Sequence, residues 1–485
     1  MQLVIQKIVI TNPKSMEFID RVAEQKRLKR ALASESPAFI VLYGRRRLGK
    51  STLLRKMLSD RDVYYEASQS ERTTQIGLLS KAIGLAYEGF EGPIYPSWEE
   101  IILAFNHRCE KNATLVLDEF PYMVKEDASL PSILQRIVDR RVIGGEGLRC
   151  NIVVCGSSQR MMMSLIKGSE PLYGRADEEF CLKPIRLPHW GKAMGLKAKE
   201  LIEEYSVWGG VPQYWAQRQK YDTFEEALDG LVLNELGSLY HEPTKLFRDD
   251  TQDIAPYLSI MTAIGGGCHK YSDIASVVGR NTAELAKPLK NLSEMAFARK
   301  EVPFGESEKK SRKTLYRIDD PFLEFYYRFV EPYKSAIAMG RTGLVRKLFE
   351  RSFQDHVGGI WESLCQTAVS GNDLFGHSWK MASRWWGKVP VYEDGKKTPV
   401  SFEDIEFDVV AEDQHDKHTI LIGECKWNSA DYADRLLVKL KKKVSMAPFA
   451  KDKKVVYALF LRERPLSLAD CEILYPEDVI SQLPD

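Results

Sequence analysis

The stretch AFIVLYGRRRLGKSTLLRKML, residues 38 to 58, changes character twice within a few positions. It begins as a β-type apolar run from Phe39 to Tyr43. It then passes through Gly44, Arg45, Arg46, Arg47, Leu48, Gly49, Lys50, Ser51 and Thr52, and continues with the leucine spacing of a helix. Strand, glycine loop and helix in that order is the context that a phosphate-binding loop requires. The glycines let the backbone curl so that successive N–H groups face one phosphate, and the helix N-terminus adds partial positive charge. Lys50 is expected to reach the β- and γ-phosphates of ATP, and Ser51 to give its hydroxyl to Mg²⁺. The plainer alternative, a basic loop before a helix, needs the Gly-x4-Gly-Lys-Ser spacing to arise by chance.

A second strand end carries acids. In ATLVLDEF the apolar run Thr114 to Leu117 leads into Asp118 and Glu119. At the C-terminal end of a parallel strand, Asp118 is expected to hold Mg²⁺ through water, and Glu119 to orient and polarise the attacking water. A third run, NIVVCGSS, ends in Ser157 and Ser158. One of them senses the γ-phosphate or positions water, or both simply cap the next helix. Arg175, in PLYGRADEEF, either touches a nucleotide, a neighbouring subunit's in an oligomer, or makes an ordinary ion pair.

FIDRVAEQKRL, GRRRLGKST, LVLDEF, VVCGSSQRMM, PLYGR and WGGVPQYW follow one another in the order seen in archaeal-type ATPases. The front of the chain, roughly residues 16 to 250, resembles that family, which lies on the signal-transduction (STAND) branch of the AAA+-related P-loop proteins. Family members often show Gly-Arg where this chain has Asp20-Arg21. The Gly-Gly-x-Pro of Gly209 to Pro212 resembles the lid motif in which the proline, here Pro212, meets the nucleotide. The bounds expected here are a leader over 1–16, an ATPase core over 17–190 and a helical lid over 191–250, and Met16 could be an alternative start.

Beyond a charged break at HEPTKLFRDDTQD, residues 251–340 read as a winged helix. A short helix from Tyr271 to Val278, a Gly279-Arg280 turn and an Asn281 cap precede a helix carrying Leu285, Leu289 and Leu292. A hairpin follows, with Lys309, Lys310, Arg312 and Lys313 near its tip. Basic wings lie on phosphates in some proteins and serve only as packing modules in others. Pro288 is expected to kink the second helix.

The last 145 residues, 341–485, carry EDIEFDVVAED and TILIGECKWN, two β-type runs around the polar stretch Gln414 to His418. A hairpin centred near Asp416 sets Asp408 opposite Glu424, with Lys426 on the same face. Opposed carboxylates repel. A divalent cation reverses the sign, and Lys426 could then steady charge on a phosphate. The plainer reading is a solvated face on which Lys426 neutralises two acids. Glu362, on the amphipathic FQDHVGGIWESLCQ, is a third candidate ligand. ADRLLVKLKKKVSM offers Lys439, Lys441, Lys442 and Lys443 to a phosphate backbone or to solvent. Helix-Glu, strand-Asp, strand-Glu-x-Lys, helix resembles the PD-(D/E)xK nuclease core. Carried over, the resemblance makes Glu362, Asp408 and Glu424 metal ligands and Lys426 the catalytic lysine.

Composition narrows the classes further. Lys+Arg 69 against Asp+Glu 68 leaves a net charge of +1, so any basic surface is local. The eight cysteines form no Cys-x-x-Cys pair and read as reduced, mostly buried thiols of a cytoplasmic protein. No apolar run suits a membrane span. The expectation is a multidomain α/β protein: a parallel-sheet P-loop ATPase with a helical lid, a winged helix and a restriction-endonuclease-like domain. ATP and Mg²⁺ are the expected cofactors and DNA the expected macromolecular partner, with RNA and a homo-oligomer left open. The rival expectation is a nucleotide-switched regulator, binding DNA or protein, whose nuclease-like domain is inactive.

Overall fold

The computed structural model describes residues 19–139, 147–251, 253–391, 398–428, 432–467 and 469–484, so the leader expected over 1–16 lies outside them. After helix α1 (Val22–Leu32), five strands form the first sheet: β1 (Phe39–Tyr43), β2 (Val63–Glu66), β3 (Thr114–Asp118), β4 (Asn151–Gly156) and β5 (Glu178–Cys181). Their order is β2-β3-β4-β1-β5, and every pairing is parallel. Every residue of β1, β3 and β4 is buried, as expected of a parallel sheet covered on both faces. The covering helices are α2 (Lys50–Met57), α3 (Arg72–Gly84), α4 (Trp98–Arg108), α5 (Phe120–Glu126), α6 (Leu130–Asp139) and α7 (Gln159–Leu165).

An all-helical segment follows: α8 (Leu187–Met194), α9 (Ala198–Trp208), α10 (Pro212–Arg218), α11 (Phe224–Leu231) and α12 (Glu242–Asp250). The sequence HEPTKLFRDDTQD is therefore no break in structure, because most of it is helix α12. Its Leu246 and Phe247 are buried, and this apolar pair holds the charged turns in place.

Helix α13 (Ala255–Gly265) packs behind α14 (Tyr271–Val278) and α15 (Thr282–Glu294), and β6 (Ala298–Glu301) pairs antiparallel with β7 (Leu315–Ile318). Asn281 caps α15 as expected, its side chain accepting from the Glu284 N–H. Pro288 lies within α15 and the helix continues through it to Glu294. Helices α16 (Pro321–Phe329) and α17 (Lys334–Ala338) lead into α18 (Thr342–Val369), a continuous helix of 28 residues.

The last sheet is mixed. After a two-residue pair, β8 (Asp373–Leu374) and β9 (His377–Ser378), come β10 (Ser383–Val391), β11 (Ser401–Glu412), β12 (Thr419–Lys426), helix α19 (Ala433–Met446), β13 (Lys454–Leu461), β14 (Glu472–Leu474) and helix α20 (Pro476–Gln482). The order is β10-β11-β12-β13-β14, antiparallel through β12 and parallel beyond it. One buried core runs from Leu28 and the β1 face through the helical segment to Trp427 and Phe460, so the two sheets are not packed as separate globules. No helix among the described residues is long and apolar enough to cross a membrane.

Candidate functional sites

The loop between β1 and α2 has the backbone its glycines permit. Gly44, Arg47 and Gly49 take φ values of 149°, 70° and 88°. A side chain at Gly44 would meet the Leu182 carbonyl at 2.5 Å, so this position needs glycine for space as well as conformation. The buried Lys50 ammonium donates to the carbonyls of Gly44 at 2.7 Å and Arg45 at 3.1 Å. A polyphosphate would compete with those carbonyls for it.

Ser51, at the start of α2, donates to Asp118 at 2.8 Å. The hydroxyl and carboxylate expected at Mg²⁺ are thus side by side and fit that ion. Tyr64 on β2 also donates to Asp118, a contact that its position in a strand did not announce. Glu119 sits at φ 51°, a left-handed conformation that costs a non-glycine residue roughly 1 kcal/mol or more. Its carboxylate accepts from the Ser157 hydroxyl at 2.9 Å. The two serines have different partners. Ser157 holds Glu119, whereas Ser158 caps α7 and donates to Asp250 at 2.9 Å.

The three loop arginines are held from outside the loop. Their side chains are ion-paired with acids far along the chain: Arg45 with Asp320, Arg46 with Asp249 and Arg47 with Glu242, each at 2.8 Å. Burial explains the choice, since Asp320 and Glu242 are buried carboxylates that require a cation. Burial foremost raises the Glu242 pKa, with Arg47 opposing it. Burial likewise pushes Asp249 up to about 7, against the pull of Arg46. What remains for phosphate at these positions is the backbone N–H groups.

Arg175 grips Asp139 on α6, its Nε 2.9 Å from the carboxylate, so the ordinary ion pair is present within the chain. Pro212 opens α10, while Ile185 donates its N–H to the Gly210 carbonyl at 2.7 Å. Thr52 is exposed on α2 and Leu48 is buried. Arg21, noted in the sequence only beside Asp20, has a role its position did not announce: its buried guanidinium donates to the carbonyls of Leu48 at 3.3 Å and Lys183 at 2.6 Å and so braces the loop from outside.

Residues 18–217 match the family described as an ATPase domain predominantly from Archaea. The front of this chain is an archaeal-type ATPase domain. Residues 326–438 match a second family, described as archaea bacterial proteins of unknown function. An uncharacterized protein of Methanocaldococcus jannaschii is 29% identical over 430 residues, covering 87% of this chain and 90% of that protein. Among solved structures, the Walker-type ATPase of Pyrococcus abyssi is 20% identical, covering 64% of this chain and 96% of its own, with TM-score 0.49. The Aeropyrum pernix ORC2 protein, solved in ADPNP and ADP complexes, is 15% identical, with coverages of 67% and 96% and TM-score 0.42.

Behind the archaeal-type ATPase domain, the second site lies on the last sheet. Val409 pairs with Gly423 and Val410 with Ile422, the register that sets Asp408 opposite Glu424. Asp413 and Asp416 fix the turn by accepting from backbone N–H groups within it. The Asp408 carboxylate accepts from the Cys425 N–H at 2.8 Å. Lys426 and Lys443 hold the two oxygens of Glu424 at 2.8 and 2.9 Å. Arg384, from β10, pairs with Glu406 and stands 3.9 Å from Glu362 on α18.

Burial foremost, then the Glu424 charge, raises the Asp408 pKa. Burial followed by Asp408 lifts Glu362 to about 7, with Arg384 opposing. Burial would also raise Glu424, yet Lys426 and Lys443 hold it below its ordinary value. Among the described residues no three His, Cys, Asp or Glu side chains are arranged to hold a metal ion. The three-acid ligand set expected from the sequence is therefore not formed. Glu362 stands beside Arg384, and Glu424 carries two ammonium groups. The expected pair, Asp408 and Glu424 with Lys426 on their face, is present.

Proposed function

We propose that the chain is an ATP-hydrolysing switch whose last domain is a Mg²⁺-dependent nuclease acting on DNA. For hydrolysis, the supporting geometry is Ser51 on Asp118 and Glu119 on Ser157 around the loop that holds Lys50. Lys50 and the loop N–H groups bind polyphosphate, Ser51 and Asp118 hold the cation, and Glu119 takes the proton of the attacking water. Ser157 keeps the Glu119 carboxylate aimed.

The observation that carries the nuclease reading is the opposition of Asp408 and Glu424 with Lys426 beside them. Mg²⁺ characteristically takes one or two carboxylates together with water and substrate phosphate, which this pair can provide. When bound, the ion supplies electrophilic stabilisation of the phosphoryl oxygens. Asp408 and Glu424 would hold the ion, Lys426 would face the scissile phosphate, and Lys443 would compensate charge. Helices α14 and α15 with the β6–β7 hairpin form a winged helix that presents the substrate. DNA cleavage with Mg²⁺ by the wild type, lost in Asp408→Ala, is the expected result. No cleavage under any nucleotide or metal condition would sink the reading. Cleavage that persists in Lys50→Ala would remove the coupling to ATP.

A second reading is favoured by the two lysines on Glu424. In a nucleotide-switched regulator with an inactive domain, that carboxylate serves only the ion-pair network. Cleavage by the wild type decides against it.

A further inference from the structure

A cleft of about 1030 Å³ lies between the α14–α15 pair with its hairpin and the β10–β11 edge of the last sheet. Its walls contribute five cations, Lys270, Lys300, Arg312, Lys313 and Lys388, against two carboxylates, Asp404 and Glu406. In a chain of net charge +1 such local excess needs a reason. Part of it is already satisfied. Lys313 pairs with Glu306 at 2.8 Å, Lys300 donates to the Glu308 carbonyl at 3.1 Å, and Glu406 is taken by Arg384. Lys270 and Arg312 are exposed and have no side-chain partner among the described residues. Lys388 is also exposed, opposite Asp404 in the strand register.

The same walls carry aromatic rings. Tyr271 and Tyr316 lie 6.0 Å apart on one side. Trp386, half-buried, stands on the other side with the Arg384 guanidinium 6.0 Å from its ring. Cations that track a backbone, interleaved with rings on which bases stack, make up the chemistry of single-strand binding. A duplex offers its bases no such contact.

The cleft also leads to the acids of the last sheet. Alternation along β11 puts Asp404, Glu406 and Asp408 on one face, with Trp386 opposite Glu406 and Lys388 opposite Asp404. At roughly 3.4 Å per residue, Asp408 lies about 14 Å from Asp404 along the strand. Lys443 bridges the two regions, donating to the Glu406 carbonyl at 3.3 Å and to Glu424 at 2.9 Å.

We infer that this cleft binds a single-stranded nucleic acid, with its backbone on Lys270, Arg312 and Lys388 and a base on Trp386, so that the strand runs toward Asp408. The inference deepens the nucleic-acid reading proposed above and does not require cleavage.

The test is fluorescence anisotropy on the full chain in EDTA, with labelled oligothymidylate, oligouridylate and a DNA duplex. A single strand binds more tightly than the duplex, and the DNA and RNA arms identify the sugar. The double variant Lys270→Glu/Lys388→Glu weakens single-strand binding roughly tenfold or more. It also flattens the dependence of log K on log salt by about 1.4, at about 0.7 per lost phosphate contact. Trp386→Ala weakens binding by about tenfold, with its thermal melt measured alongside. The lysine pair, being exposed, tests the idea even if that variant unfolds. Lys26→Glu on α1 binds as the wild type does. Tighter duplex binding, or unchanged affinity in the lysine double variant, overturns the inference. Strand binding without cleavage under any metal condition leaves the cleft standing and removes only the nuclease.

Discussion

Lys50, Glu119 and His356 show three things that one side chain does here. Lys50 closes on its own loop carbonyls, so Lys50→Ala should abolish both binding of a fluorescent ATP analogue and phosphate release. Glu119 is separable from binding. Glu119→Gln keeps the hydrogen bond from Ser157 and loses the base, so nucleotide affinity should hold while phosphate release falls by about 10² or more. His356 is fully buried, with Nε2 2.8 Å from the Ser206 carbonyl on α9, and is therefore neutral with its proton on Nε2. Burial depresses its pKa from 6.5 to about 4, with the Ser206 bond opposing and Arg328 assisting. Below pH 6.5 the unfolded chain takes up a proton that the folded chain refuses. Stability should therefore fall as pH drops from about 6.5 to about 4, by on the order of 3 kcal/mol from this group. Urea denaturation across that range should show a steeper loss for the wild type than for His356→Gln.

Among the elements, the hairpin of β11 and β12 was legible in the sequence because two β-type runs flank a short polar turn. One arithmetic midpoint, near Asp416, set the register. Gly423 is the strand residue that keeps it. A Cβ there would stand 2.7 Å from the Phe460 ring and 3.3 Å from the Val409 Cβ. Gly423→Ala should destabilise the protein by about 1–3 kcal/mol in urea, with strand separation at Asp408 lowering any metal-dependent cleavage in proportion. The loop before α2 was equally plain, because backbone curvature and a phosphate charge dictate its residues locally. Helix α12 was not. Its acids read as a polar break, and only burial against the loop arginines makes them helix. The partners of Arg45, Arg46 and Arg47 were hidden for the same reason, since Asp320 and α12 are distant in the chain. Nor could spacing show that Lys443 and Arg384 would share the acids of the last sheet.

At the scale of the molecule, the nucleotide loop is tied to everything behind it. Asp320 caps α16 with one oxygen, accepting from the Leu323 N–H, and meets Arg45 with the other. Both members of this pair are buried, so removing one strands a charge. Asp320→Ala or Arg45→Ala should each cost about 3–5 kcal/mol, and the double variant less than their sum. A thermodynamic cycle in urea measures that coupling. Helix α18 extends the connection. Over about 42 Å, at 1.5 Å per residue, it packs on α9 and α16 at one part and on β11 and β12 at another. Its Trp361 donates to the Phe460 carbonyl at 3.2 Å and its Gln366 to the Asp408 carbonyl at 2.8 Å. A helix shared in this way has a consequence for inheritance. A recombination break upstream of Thr342 would deprive the ATPase half of its wall, and one downstream of Val369 would leave the last sheet without its own. Exchange of the final domain between lineages should therefore cost stability at either end of this helix.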